Sequence, residues 1–150
     1  MWKNAIKTIL LLLIFILCGC QSKSALTPTE FKNIMTNNKY KVSNITDNYQ
    51  YDRLFKSYKA TKHNYDIIYY KLNNKEQAIN FYESSQVNLN LNKTNNKKET
   101  NVSTNNYNKY TLTTSDSYLI LCRIDNTIIY SSVDIKYKNK VNSIIKKIGY

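Results

Sequence analysis

The sequence contains few of the residues on which most active sites depend. Its 150 residues include two glycines, one proline, one histidine and three cysteines. The glycines stand at positions 19 and 149, so there is neither a glycine-rich phosphate loop nor a glycine-flanked nucleophilic serine. No Cys and His residues have the spacing of a zinc site. We therefore expect a non-catalytic protein, with no metal, no cofactor and no catalytic residues.

Acidic residues are also few, since ten Asp and Glu stand against 22 Lys and Arg, for a formal charge of +12. Glu76 and Glu83 would share one helix face and could meet Asp66, so a carboxylate-based hydrolase stays open as the least favoured alternative. The only histidine, His63, lies in a predicted turn beside Lys62. It is therefore expected to be a turn residue and not a general base.

The first twenty residues have the pattern of an export signal. Lys3 and Lys7 precede residues 9–17, an unbroken run of nine apolar residues. A helix needs about 20 apolar residues to cross the hydrocarbon core of a membrane, whereas the apolar part of a secretory signal needs about 7–15. The run is too short to span a membrane and predicts a secretory signal peptide.

Leu17, Cys18, Gly19 and Cys20 end this run. The tetrad resembles the lipobox of bacterial prolipoproteins, in which a leucine, a small residue and a glycine precede a lipid-bearing cysteine. The resemblance implies a signal peptide over residues 1–19, recognised by signal peptidase II through Leu17, Cys18 and Gly19. It also implies that Cys20 carries a diacylglycerol by a thioether linkage. The family prefers Ala, Ser, Thr or Val where this chain has Cys18.

Such processing would give a lipoprotein anchored to the extracytoplasmic face of the cell membrane. Two acyl chains on Cys20 suffice for stable anchoring, whereas a single chain is marginal. Loss of residues 1–19 leaves twenty basic and ten acidic residues, so the formal charge becomes +10. Cys122 then remains as the only thiol, and its apolar surroundings in the sequence predict a buried structural residue. Both a Gram-positive plasma membrane and an outer membrane stay open as destinations.

The rest of the chain predicts one α+β domain over residues 26–150, after a short polar tether over residues 20–25. We expect an antiparallel sheet of about five or six strands, with about three helices packed mainly on one face. Thr27 and Glu30 have the spacing of a capping box at the start of the first helix. A polar segment near residues 90–108 holds too few apolar residues for a core and is predicted to be a loop.

Two strand pairs and a final helix can be placed from local patterns. Hairpin turns are expected at residues 63–64 and 125–126, and an amphipathic helix over residues 137–148. In element order and composition, the domain is similar to the small uncharacterised lipoproteins of low-GC Gram-positive bacteria. That resemblance rests on no motif and implies no activity.

The excess of lysine is the main indication of function. Lys136, Lys140 and Lys147 would lie on one side of the final helix, where they could bind an anionic surface. We therefore expect a binding module for an anionic lipid, a wall polymer or an acidic protein; export argues against nucleic acid. The alternative is a protein-interaction subunit of the inhibitor, immunity or sensor type, which would use the segment near residues 90–108.

Overall fold

The computed structural model describes residues 22–48, 54–91 and 97–150. The lipobox-like residues 17–20 lie outside them. The α-helices of the described chain are α1 (Pro28–Asn37), α2 (Lys75–Leu91) and α3 (Lys138–Lys147), and two short 3-10 helices cover Thr46–Asn48 and Ile135–Tyr137. The strands are β1 (Lys41–Asn44), β2 (Leu54–Lys62), β3 (Tyr65–Leu72), β4 (Lys98–Ser103), β5 (Tyr107–Thr113), β6 (Ser117–Ile124) and β7 (Thr127–Asp134).

The seven strands form a single antiparallel sheet in the order β1-β2-β3-β7-β6-β5-β4. Two runs of consecutive hairpins meet at its centre, where β3 pairs with β7 and Tyr69 lies opposite Ile129. The two expected hairpin turns are present, and His63 and Asp125 each adopt a positive φ in them, of 53° and 48°. The predicted α+β class is confirmed, with seven strands in place of five or six.

The additional strand is β4, so the prediction of a polar loop near residues 90–108 was wrong for most of that segment. Helix α2 continues to Leu91, and β4 pairs with β5 over its whole length, from Lys98 opposite Thr113 to Ser103 opposite Asn108. Every residue of β4 is exposed. An edge strand is held by backbone hydrogen bonds on one side and needs no apolar side chains, which is why composition did not indicate it.

Helices cover both faces of the sheet. On β6, Ile120 belongs to one apolar cluster and its neighbours Leu119 and Leu121 to another, because successive side chains of a strand point to opposite faces. Helices α1 and α3 pack on the face of Ile120, through residues that include Phe31, Met35, Val141, Ile144 and Ile145. Helix α2 packs on the opposite face through Ala78 and Tyr82. Two of the three helices thus share a face, and α2 covers the other.

The capping box that the sequence predicts is present at the start of α1. The backbone N–H and the hydroxyl of Thr27 each donate to Glu30 Oε2 at 2.8 Å, and the backbone N–H of Glu30 donates to Thr27 Oγ1 at 3.2 Å. These hydrogen bonds lower the pKa of the Glu30 carboxyl. The reciprocal bonds satisfy two N–H groups that a helix start leaves without partners, and they fix where α1 begins.

The chain ahead of α1 contacts the domain from Lys23 onward, within the segment over residues 20–25 that the sequence predicts to be a short polar tether. The side-chain amide of Asn106 donates to the carbonyl of Lys23 at 2.7 Å. The Lys23 ammonium donates to the carbonyl of Gly149 at 3.2 Å and lies 3.9 Å from the ring centroid of Tyr107. The expected tether is therefore fixed from Lys23 onward. No helix among the described residues is long and apolar enough to cross a membrane.

Candidate functional site

Helix α3 lies on the sheet with lysines along both of its sides. Its buried residues Val141, Ile144 and Ile145 face the sheet, as the amphipathic pattern predicts. The lysines on either side face two grooves, one toward the edge strand β4 and one toward α1 and the β2–β3 turn. We call these the β4-side groove and the α1-side groove.

The β4-side groove measures about 500 Å³ and runs between α3 and strands β4 and β5. Among the described residues, four lysines line it and no Asp or Glu does. Its lining residues are Lys98, Thr100, Lys109, Thr111, Thr113, Tyr118, Lys138, Asn142, Lys146 and Tyr150. The groove therefore offers an anion a set of ammonium and hydroxyl groups with no competing carboxylate.

Hydrogen bonds hold part of this lining in place. The Lys138 ammonium donates to Thr113 Oγ1 at 3.2 Å and lies 5.2 Å from the ring centroid of Tyr118. The Tyr118 hydroxyl in turn donates to Asn142 Oδ1 at 2.7 Å. These contacts join α3 to β5 and β6, so the two walls of the groove are coupled.

The α1-side groove measures about 530 Å³, and its cations are already in contact with the protein. The ammonium groups of Lys62 and Lys147 donate to the backbone and side-chain oxygens of Asn38, each at 2.8 Å. Lys140 and His63 also line this groove, and His63 is the exposed turn residue that the sequence predicts. An anion here would have to compete with Asn38 for two of the three lysines.

The structure brings together two of the three lysines that the sequence predicts to bind an anion. Lys140 and Lys147 both line the α1-side groove. Lys136 lines neither groove, because its ammonium donates to Asp134 Oδ2 at 2.9 Å, a contact that raises the pKa of Lys136 and lowers that of Asp134. Lys136 belongs to the 3-10 helix Ile135–Tyr137 and not to α3, so helical spacing from it does not apply.

The sequence reasoning missed the lysines and threonines that β4 and β5 contribute. Lys98 and Thr100 alternate with other residues along β4, as do Lys109, Thr111 and Thr113 along β5. A spacing of two places such residues on one face of a strand. This Lys-x-Thr alternation is the available signal in the sequence, and the expectation of a loop near residues 90–108 does not take it into account in β4.

The carboxylates considered for catalysis lie outside both grooves. Asp66 accepts a hydrogen bond from Thr61 Oγ1 at 2.6 Å and lies 3.9 Å from the ammonium of Lys59. Glu76 and Glu83 are exposed on α2. Within residues 22–48, 54–91 and 97–150, no group of three or more His, Cys, Asp and Glu residues could hold a metal ion.

Cys122 is a buried free thiol, as the sequence predicts. Burial raises its pKa to about 12. Because the thiolate is the reactive form, we expect Cys122 in a chain beginning at Gln21 to resist Ellman's reagent at about pH 8 and to react once guanidinium chloride unfolds the protein. Rapid reaction in native buffer would contradict the buried position.

The same raised pKa predicts a loss of stability in alkali. The unfolded thiol titrates near pH 8.5, roughly, and the folded one only near pH 12, so the unfolded state releases its proton first. The contribution of Cys122 to stability is complete below the unfolded pKa and is lost as the pH rises toward the folded value. Cys122→Ala should remove this part of the alkaline decline in urea titrations, whatever its effect at neutral pH.

No family model matches the chain, and neither the curated proteins nor the solved structures include a match to it.

Proposed function

We propose that this chain is an extracytoplasmic lipoprotein, anchored to the cell membrane through Cys20, whose domain binds an anionic partner beside α3. The lipobox-like residues 17–20 support the anchor. The observation that carries the binding role is the lining of the two grooves, in which the described residues include seven lysines and no Asp or Glu. The partner is an anionic lipid, a wall polymer or an acidic protein.

Electrostatics favours an anion in these grooves. Lysines held near one another without carboxylates repel, and a bound anion relieves that repulsion. Each lysine close to an anionic surface contributes roughly 1 kcal/mol, and the interaction is screened over about 8 Å at physiological salt. Binding that depends on several such contacts must weaken as the salt concentration rises.

The chemistry of the β4-side groove supports binding over catalysis. Its described side chains are lysines, threonines, tyrosines and one asparagine. Histidine, Glu and Asp, which often act as general acids and bases, are absent from this described lining, and only Lys and Tyr remain of the groups that can act so. The groove supplies hydrogen-bond donors and positive charge instead.

A protein-interaction subunit is the second candidate, and the edge strand β4 favours it. Among the described strands, β4 pairs with β5 alone, and all six of its residues are exposed. An exposed edge can accept a strand from another protein by adding it to the sheet. Capture of a partner that is unaffected by salt but lost when a proline replaces Asn101 would favour this candidate.

The proposed binding can be tested with the domain from Gln21 onward, which includes every described residue. We would sediment it with neutral vesicles, anionic vesicles and purified cell wall at low and high salt. We expect retention on an anionic target at low salt, loss of that retention at high salt, and none on neutral vesicles. Retention that ignores salt, or no retention on any target, would refute the anionic role.

A further inference from the structure

The β4-side groove places cationic side chains at separated points along its length. Lys98 lies opposite Thr113 in the pairing of β4 with β5. Lys109 lines the same groove four residues away from Thr113 along β5, which is roughly 13 Å at about 3.3 Å per residue. The sheet wall of the groove therefore has one lysine near each end.

Helix α3 repeats this spacing on the other wall. Lys138 lies at the Thr113 end, to which it is hydrogen-bonded. Lys146 lines the groove eight residues further along the helix, about 12 Å away at 1.5 Å per residue. The two lysines on the helix wall are therefore nearly as far apart as the two lysines on the sheet wall.

Hydroxyl groups occupy the length between these lysines. Thr100 and Thr111 lie opposite each other on β4 and β5, and both line the groove. A threonine hydroxyl can donate to a phosphate oxygen and can also accept from a ligand hydroxyl. The lining suits a ligand with anionic groups at intervals and polar groups between them.

We propose that the β4-side groove binds a linear phosphodiester polymer of the cell envelope, with phosphates of one chain at both ends of the groove. This inference rests on the proposed function and specifies its partner. The phosphates contact Lys98 and Lys138 at one end and Lys109 and Lys146 at the other. The polyol units between the phosphates contact Thr100 and Thr111.

The groove fits such a polymer better than it fits a bilayer or a protein. A flat bilayer cannot follow a recess between a helix and a strand, whereas a single chain can lie along it. Protein partners gain most of their affinity by burying aromatic or arginine side chains in desolvated pockets, and this lining is mainly lysine and threonine. A polymer also engages both ends at once, so the second contact is intramolecular and strengthens binding without new chemistry.

The test measures binding by the domain from Gln21 onward, which includes every described residue and carries no lipid that would insert into the vesicle probe. The probes are poly(glycerol phosphate), glycerol phosphate monomer, polyglutamate and anionic vesicles. We expect poly(glycerol phosphate) to bind more tightly than any other probe. Tighter binding of polyglutamate or of vesicles would overturn the choice of partner while leaving an anionic role in place, whereas failure of every probe to bind would overturn the proposed function as well.

Matched lysine variants locate the site. The double variants Lys98→Gln/Lys138→Gln and Lys109→Gln/Lys146→Gln each remove one end of the β4-side groove. At roughly 1 kcal/mol per lysine, each should weaken polymer binding about 10- to 30-fold. The control Lys32→Gln/Lys75→Gln removes the same charge from two exposed lysines that line neither groove and should change binding by less than about threefold.

Equal losses in all three double variants would mean that net charge and not the groove governs binding, and would overturn the assignment. Unfolding midpoints in urea, measured for each variant, show whether a loss comes from an altered fold. A variant that lowers the midpoint is replaced by the single substitution Lys98→Gln or Lys109→Gln, for which about half the effect on the binding free energy is expected.

Discussion

Replacing Cys20 with alanine should abolish lipid attachment. The lipobox resemblance assigns the diacylglycerol to this thiol, and alanine has no sulfur with which to form the thioether. Metabolic labelling with a radioactive fatty acid should give a labelled band for the natural chain and none for the variant. Fractionation should show the natural chain in the membrane pellet after a high-salt wash.

Cys18 provides the matched control for this result. It lies two residues before Cys20 at a position where the lipobox family prefers a small residue, so Cys18→Ala should be labelled and retained like the natural chain. Loss of label from Cys18→Ala with full labelling of Cys20→Ala would show that Cys18, and not Cys20, carries the lipid. Equal labelling of both variants would refute the lipobox assignment altogether.

Phe31→Ala should lower the free energy of unfolding by about 3–5 kcal/mol, the usual range for a buried phenylalanine. The Phe31 side chain is completely buried, and its ring stacks on that of Tyr69 with centroids 4.9 Å apart. Tyr69 also donates a hydrogen bond from its hydroxyl to the carbonyl of Leu26 at 2.8 Å. Truncation of Phe31 therefore leaves a cavity where α1, the central strand β3 and the N-terminal segment meet.

Phe55 is the control for that measurement. It is the same residue type in an exposed position, with 63% of its surface accessible. Phe55→Ala should change the free energy of unfolding by no more than about 0.5 kcal/mol. Urea titrations of both variants, analysed with a common dependence of the unfolding free energy on urea concentration, would give the comparison. Similar losses of unfolding free energy in the two variants would contradict the placement of Phe31 in the core.

Local signals in the sequence predicted the parts of the fold that local chemistry decides. The capping box of Thr27 and Glu30 located the start of α1, the apolar spacing of residues 137–148 located α3, and short polar pairs located two hairpin turns. Each of these depends on residues within a few positions of one another. The pairing of β3 with β7 depends on residues about sixty positions apart, and no local pattern encodes it.

An apolar run in β6 indicates that helices cover both faces of the sheet. Residues 118–122 of β6, Tyr-Leu-Ile-Leu-Cys, are a continuous apolar run, where a strand with one exposed face would alternate, and all five are buried. A continuous apolar run indicates a strand covered on both faces. The run therefore predicts a helix on each side of the sheet, and α2 and α3 lie on these two sides. The β4-side groove could be predicted only in part, because the Lys-x-Thr alternation places residues on one face of each strand but does not show that β4 pairs with β5 or that α3 lies beside them.

The attachment of Lys23 to the domain has a consequence for how the protein would meet its partners. Lys23 can lie no farther than roughly 11 Å from Cys20, since each residue spans at most about 3.6 Å. The charge of Lys109 lies close enough to Lys23 to lower its pKa, after the larger effect of burial, so one end of the β4-side groove adjoins this attachment. On a lipidated chain the domain would not swing through the periplasm or wall space. It would diffuse laterally close to the membrane surface. The surface density of its ligand, and not the bulk concentration, would then set how often the two meet.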